Sequence, residues 1–248
     1  MLAEQAAALP VERWATIAPN YKYGQDAVDA FRELLRARKP EVEFVTAQWP
    51  AQGGINAGAE VQALLAADPQ AIFNVTFGAD LAKFVREGRL RGLFEGREVI
   101  SLLTGEPEYL DPLGDEAPEG WWVTGYPWYA IETPEHRAFV EAYRERFEEP
   151  PRLGSLVGYN TFLALAAAID KAGSTATEAL IMATEGLRVA TPLGDIEFRS
   201  VDHQSTMGAF VGRTAVRDGQ GIMVDWFYAD GADYLPDAET AARWRLTE

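Results

Sequence analysis

The chain has 248 residues, 48% hydrophobic and 24% charged, which suffices to bury the core of one large domain or two small ones and excludes a disordered or low-complexity chain. Its 38 acidic and 22 basic residues leave a net charge of −16, a surface that repels phosphate backbones, so no nucleic-acid partner is expected. The absence of cysteine excludes disulfides, thiolate zinc sites, iron–sulfur clusters and thiol catalysis, and no apolar run reads as long enough to span a bilayer.

The opening MLAEQAAALP is not a signal peptide: it lacks a basic start, carries Glu4 and has only a short apolar stretch. It reads as the end of a helix stopped near Pro10. Strand and helix then alternate. Residues 14–18 form a short apolar strand ending at Pro19 and Asn20. Residues 26–38 follow helical spacing, with Ala27, Phe31, Leu34 and Leu35 on one face. Further strands are predicted at 42–47, 71–76 and 99–103, with helices at 57–67 and 79–90 between them. This alternation predicts an open parallel sheet covered by helices on both faces.

Residues 105–120 read as an irregular acidic loop, followed by a strand at 121–126 that Pro127 breaks. Three helices come next with little strand between them, at 134–147 with Thr133 as N-cap, at 156–171, and at 175–185 with Gly186 behind it. A hairpin closes the pattern, 207–216 and 222–228 about a turn at 218–221, and a last helix is predicted at 237–244. A chain that leaves an α/β unit for a helical segment and returns must cross twice. Pro127 and the regions of Gly194 and Gly208 are the candidate crossings.

Ligands of an open parallel sheet bind beyond the carboxyl ends of its strands. Those ends carry Tyr21, Tyr23, Gln48, Trp49, Thr76, Phe77, Gly78, Thr104 and Glu106. Rings with a few hydroxyls and one carboxylate suit a small amphipathic organic ligand; each ring taken singly is equally well a core cap. Glu106 either pairs with a ligand ammonium or is one more solvated acid beside Glu108, Asp111, Asp115 and Glu116. The acidic loop lacks the spacing of a calcium-binding EF-hand, and the glycine-rich residues 53–58 match neither a dinucleotide fingerprint nor a P-loop. Of two histidines, His136 is expected at the surface and His203 as a structural hydrogen-bonder. The adjacency of Asp202, His203 and Ser205 is no triad, since triads assemble in space. Asn74 heads a glycosylation sequon but falls in a buried strand. No catalytic motif, cofactor site or metal site is read from the chain.

Four segments carry a family likeness. WATIAPNYKYGQ (14–25) resembles the strand-loop-helix that opens the second lobe of type I periplasmic binding proteins, in the leucine/isoleucine/valine-binding branch of ABC transporters. PEGWWVT (118–124) resembles the strand leading to that family's hinge, GSLVGYN (154–160) its returning helix, and TPLGDIEF (191–198) with DHQ (202–204) its late turn. The resemblance implies an α/β fold of periplasmic binding protein type I. Residues 11–125 and 207–235 would form one nearly complete open parallel-sheet lobe. Residues 126–206 would form a partial, mainly helical lobe, flanked by a helix remnant at 1–10 and a C-terminal helix at 236–248. It implies a two-lobed receptor that binds an amino acid or a related carboxylate or amide between its lobes and passes it to an ABC permease in the periplasm. By position Tyr23 lines the pocket and Phe77 replaces a usual tyrosine. Either Thr104 or Glu106 takes the ligand ammonium, with Thr76 and Gly78 beside them. The first lobe's opening segment and the export signal have no counterpart here. The remaining helices would expose an apolar face, open to self-association or disorder. A ligand sensor of the same fold and an unrecognised α/β enzyme are the competing readings.

Overall fold

The computed structural model describes residues 1–245, with side chains to residue 244. Contacts divide the chain into two compact units, one formed by Met1–Pro127 and Phe210–Phe227, the other by Trp128–Ala209 and the residues from Tyr228 on. The chain thus passes between units beside Pro127, beside Gly208 and again after Phe227. Gly194 is no crossing; it lies inside the second unit.

The first unit opens with helix α1 (Leu2–Ala8) and then alternates: β1 (Arg13–Ile17), α2 (Lys22–Arg38), β2 (Glu43–Gln48), α3 (Ala57–Ala67), β3 (Ala71–Asn74), α4 (Gly78–Leu90), β4 (Glu98–Gly105). Helix α5 (Pro107–Leu113) and β5 (Trp122–Gly125) follow. The sheet runs β2-β1-β3-β4-β5 with parallel pairing throughout. The two late strands, Ala209–Arg217 and Gln220–Ala229, extend it beyond β5, the first of them antiparallel to β5, so the sheet is mixed. β1 and β3 are buried along nearly their whole length, as apolar strands in the middle of a two-sided sheet must be.

Chain order and sheet order together fix where the helices go. From β1 the chain steps to one side for β2, then back past β1 for β3. Right-handed crossovers therefore put α2 on one face and α3 and α4 on the other. Phe31 of α2 stacks on Phe73 of β3 at 3.9 Å between centroids and meets the edge of Trp14 at 5.4 Å. On the α4 side Phe94 bridges Phe84 (5.5 Å) and Trp121 (4.8 Å).

Two departures from the expected elements are instructive. Helix α2 starts at Lys22, four residues early. A Cβ at position 24 would lie 2.1 Å from the carbonyl oxygen of Pro19, so only glycine lets the first turn fold back on the preceding loop. Residues 107–113, expected as loop, form α5, because Pro107 fits the first helical position and Glu108 complements the helix N-terminus. The acids of that stretch are spread over the helix and a following 3-10 turn, where Glu116 pairs with Arg86 at 2.6 Å. They do not converge as calcium ligands.

The second unit contains α6 (Pro134–Phe147), α7 (Leu153–Ala172), α8 (Thr177–Thr184), the hairpin β6 (Leu187–Thr191) and β7 (Gly194–Phe198), and α9 (Ala238–Arg245). The rest of the C-terminal helix predicted at 236–248 lies outside the described residues. The hairpin was expected only as a turn. Thr191 Oγ1 donates to Gly194 O (2.6 Å) and accepts from Leu193 N (3.2 Å), closing the bend. Leu187, Val189 and Ile196 then point inward against Ala164 and Ala168 of α7. Contrary to the expectation from sequence, α7 is long and apolar enough, by length and composition alone, to cross a membrane. The same composition serves packing: one stripe of α7 meets the hairpin, while Phe162 stays 73% exposed on another side.

His136 is fully buried, not at the surface. It sits in the first turn of α6, bonded to the backbone of Ile131 and 6.4 Å from the Phe139 ring, and burial holds its pKa below the usual value. Arg199 grips Asp202, His203 Nδ1 meets Thr184 Oγ1 at 3.1 Å, and Ser205 Oγ accepts from Met207 N at 3.1 Å. The three adjacent residues thus have separate partners.

Candidate binding site at the sheet's switch point

The strand order reverses between β1 and β3. The connections leaving these two strands run to opposite sides, and a crevice opens beyond their carboxyl ends. Tyr23 comes from the first turn after β1 and Phe77 from the residue that caps α4 after β3. Their rings meet edge to face, 6.1 Å between centroids, and Tyr21 continues the row at 5.9 Å from Tyr23. Tyr23 remains 37% exposed, so the row forms a wall facing solvent rather than a core. Gly78 starts α4 with φ +58°, a conformation suited to glycine, and open space surrounds its α-carbon.

Under this wall lies a chain of buried polar groups. Asn74 Nδ2 donates to Ser101 Oγ (2.8 Å), and the Ser101 and Thr104 hydroxyls share a hydrogen bond (2.6 Å). Asn74 Oδ1 accepts from Thr76 N (3.1 Å) and Thr76 Oγ1 (2.7 Å). Thr76 and Thr104 are buried with their hydroxyls engaged in this way, and they tie the ends of β3 and β4 together. β4 also kinks: its register against β5 shifts after Ser101, and Leu103 adopts φ +67°, a strained left-handed value for a branched residue. The kink delivers Glu106 to the start of α5.

Glu106 is 7% exposed and makes no capping bond to the helix it precedes. Burial and the negative charge of Glu108 push its pKa up to about 8. Tyr23 and Tyr109 lie within its field. Burial, Tyr21 and Glu106 raise the Tyr23 phenol; burial, Glu106, Glu108 and Tyr23 push that of Tyr109 up to about 12. The structure therefore brings Tyr23, Phe77, Gly78 and Glu106 to one edge and sets Thr76 and Thr104 beneath it.

Sequence reasoning passed over Asp80. Its carboxylate accepts from Gly53 N (2.6 Å) and Ile55 N (3.4 Å), clamping the glycine-rich loop beside a hollow of about 130 Å³ lined by Thr76, Phe77 and Gly78. A second hollow, about 260 Å³, opens between Gly78, Glu108 and Tyr109. An acid in the first turn of a helix after a strand was the available signal. Among the described residues no group of three His, Asp or Glu side chains is placed to hold a metal.

A doubly wound sheet with rings, one buried carboxyl and small hollows at its switch point has the form in which open α/β sheets take up small molecules. The sequence profile of the periplasmic binding proteins matches residues 2–220, so the chain belongs to the periplasmic binding protein family, one of binding proteins rather than enzymes. A search of curated proteins finds no match. Among solved structures, an ABC-type branched-chain amino acid transporter protein from Rhodopseudomonas palustris CGA009 is 26% identical, with TM-score 0.69 over 92% of this chain and 63% of its own. A solute-binding protein from Rhodopseudomonas palustris BisB5, in complex with 3,4-dihydroxybenzoic acid, is 24% identical with TM-score 0.77 over 92% and 64%. A leucine-, isoleucine-, valine-, threonine- and alanine-binding protein from Brucella ovis is 20% identical with TM-score 0.77 over 96% and 62%. The chain thus spans less than two thirds of the length of these relatives.

Proposed function

We propose that the chain works as the solute-binding component of an ABC transporter, capturing a small amino acid or a related carboxylate or amide in the periplasm for a permease. The observation that carries the reading is the switch-point edge, where a wall of rings stands beside a buried carboxyl that no basic residue among those described neutralises. Tyr23 and Phe77 would take the apolar body of the solute, and Gly78 allows close approach. Of Thr104 and Glu106, Glu106 would take the ammonium, since the Thr104 hydroxyl is already bonded to Ser101. Thr76 and Thr104 would fix the strand ends. Relatives whose names or ligands are amino acids and aromatic acids mark out the chemical range.

A thermal-melt screen of the purified chain tests this. The panel comprises branched-chain and aromatic amino acids, hydroxybenzoates and short amides. A ligand that binds only the folded state raises Tm with the logarithm of its concentration over Kd. A saturable rise with one amino acid, lost in Phe77→Ala, is the expected result. A cooperative melt that no member shifts at millimolar concentration removes the reading.

A further inference from the structure

The proposal concerns Glu106 and rests on the binding reading above. A carboxyl group taken out of water needs a positive charge, hydrogen-bond donors or a proton. Among the described residues Glu106 feels one charge, that of Glu108, and has no ion-pair partner. It precedes α5, yet its side chain accepts nothing from that helix, whose first residue, Pro107, has no N–H to offer. The ionisable groups that bear on it are Glu108 and Tyr109 from α5 and Tyr23 from α2, with Tyr21 one ring further out. None of them is a basic residue. Lys22, adjacent in sequence, is turned outward, 84% exposed and paired with Asp26 at 2.7 Å.

We propose that solute capture is a proton exchange: Glu106 is a neutral carboxylic acid in the ligand-free protein, and an ammonium group arriving at the ring-lined edge displaces its proton to solvent. The balance is simple. The carboxyl O–H bond breaks, the proton passes to buffer, and the carboxylate left behind pairs with the incoming cation. The site then carries the same net charge before and after, so neither of the two populated end states buries an unpaired carboxylate or an unpaired ammonium. Only the ionised fraction of the protein is competent to bind, and apparent Kd is the intrinsic value divided by that fraction. With the acid titrating at about 8, apparent affinity for an ammonium-bearing solute rises about 50-fold from pH 6 to pH 8. A solute without the ammonium shows no such gain.

Two measurements on the full chain decide the matter. The first is carboxyl ¹³C NMR of ligand-free protein labelled at glutamate, with Glu106 assigned from Glu106→Gln. A signal titrating between pH 7 and 9 supports the exchange; one already ionised below pH 6 overturns it, whether or not any solute binds. The second is calorimetry with L-leucine and its des-amino analogue 4-methylpentanoate at pH 6 and 8, in buffers of different ionisation enthalpy. Uptake of about one proton by buffer per leucine bound at pH 7 is expected, and its loss in Glu106→Gln. Leucine binding with equal affinity at both pH values overturns the exchange. Leucine failing to bind while Glu106 still titrates near 8 sinks the amino-acid assignment and leaves the neutral acid standing.

Discussion

Asn74→Ala should be the most damaging conservative change near the candidate site. Asn74 is fully buried on β3 and makes three hydrogen bonds, to Thr76 N, Thr76 Oγ1 and Ser101 Oγ. Truncation to Ala removes all three and strands the Thr76 backbone N–H and hydroxyl in a buried sheet, while the Ser101 hydroxyl keeps its bond to Thr104. At about 1–1.5 kcal/mol for each of the three lost bonds, the cost is about 3–4.5 kcal/mol if the site stays sealed from water. That is a large part of the about 5–15 kcal/mol that holds a domain together. In urea, with a slope of about 3 kcal/mol/M for a chain of this size, the midpoint falls by about 1 M at unchanged slope. The assay is urea denaturation followed by tryptophan fluorescence, since Trp14 and Trp121 are buried in the same unit. Ser101→Ala, which strands Asn74 Nδ2 and the Thr104 hydroxyl, should cost about half as much. A loss below about 1 kcal/mol for Asn74→Ala would refute the reasoning, because it would mean that the chain of hydroxyls is hydrated rather than sealed.

Three further outcomes follow from the packing. Gly24→Ala forces a methyl to within 2.1 Å of a backbone oxygen that cannot swing away, and calorimetry should show a loss of about 2–4 kcal/mol. Asp80→Ala releases Gly53 N and Ile55 N; hydrogen exchange at residues 53–55 should accelerate at least about tenfold, with about 1–3 kcal/mol of stability lost. His136 has its folded pKa held below the unfolded value by burial, so it contributes stability at neutral pH that is lost as pH falls below about 6.5, where the unfolded chain takes up the proton. His136→Phe should flatten that part of the urea-midpoint-versus-pH curve. An unchanged slope would place the histidine in water.

The order of elements in the first unit is legible because each apolar strand and each amphipathic helix buries its own face locally. The boundaries that moved did so for non-local reasons. Helix α2 gained a turn only because Gly24 meets Pro19 across the loop. The missed hairpin at residues 187–198 shows the limit of short patterns: Leu187, Val189 and Ile196 alternate as strands should, but only Ala164 and Ala168 of α7 make them a core. His136 has the sequence setting of a surface residue, and burial against Ile131 and Phe139 is a fact of packing.

The candidate site divides the same way. The residue types at the strand ends, the glycine at position 78 and the excess of acids are properties of the sequence. That Tyr23 and Phe77 touch across the switch point depends on β1 lying beside β3, a pairing between residues more than fifty positions apart. That Glu106 is a dry, uncompensated acid depends on the kink at Leu103 and on which neighbours α5 and α2 bring to it. The sequence by itself determines which groups can be charged. Only the tertiary structure decides how much water each retains and which charges face it, and a carboxyl group's state of ionisation is set by those two things.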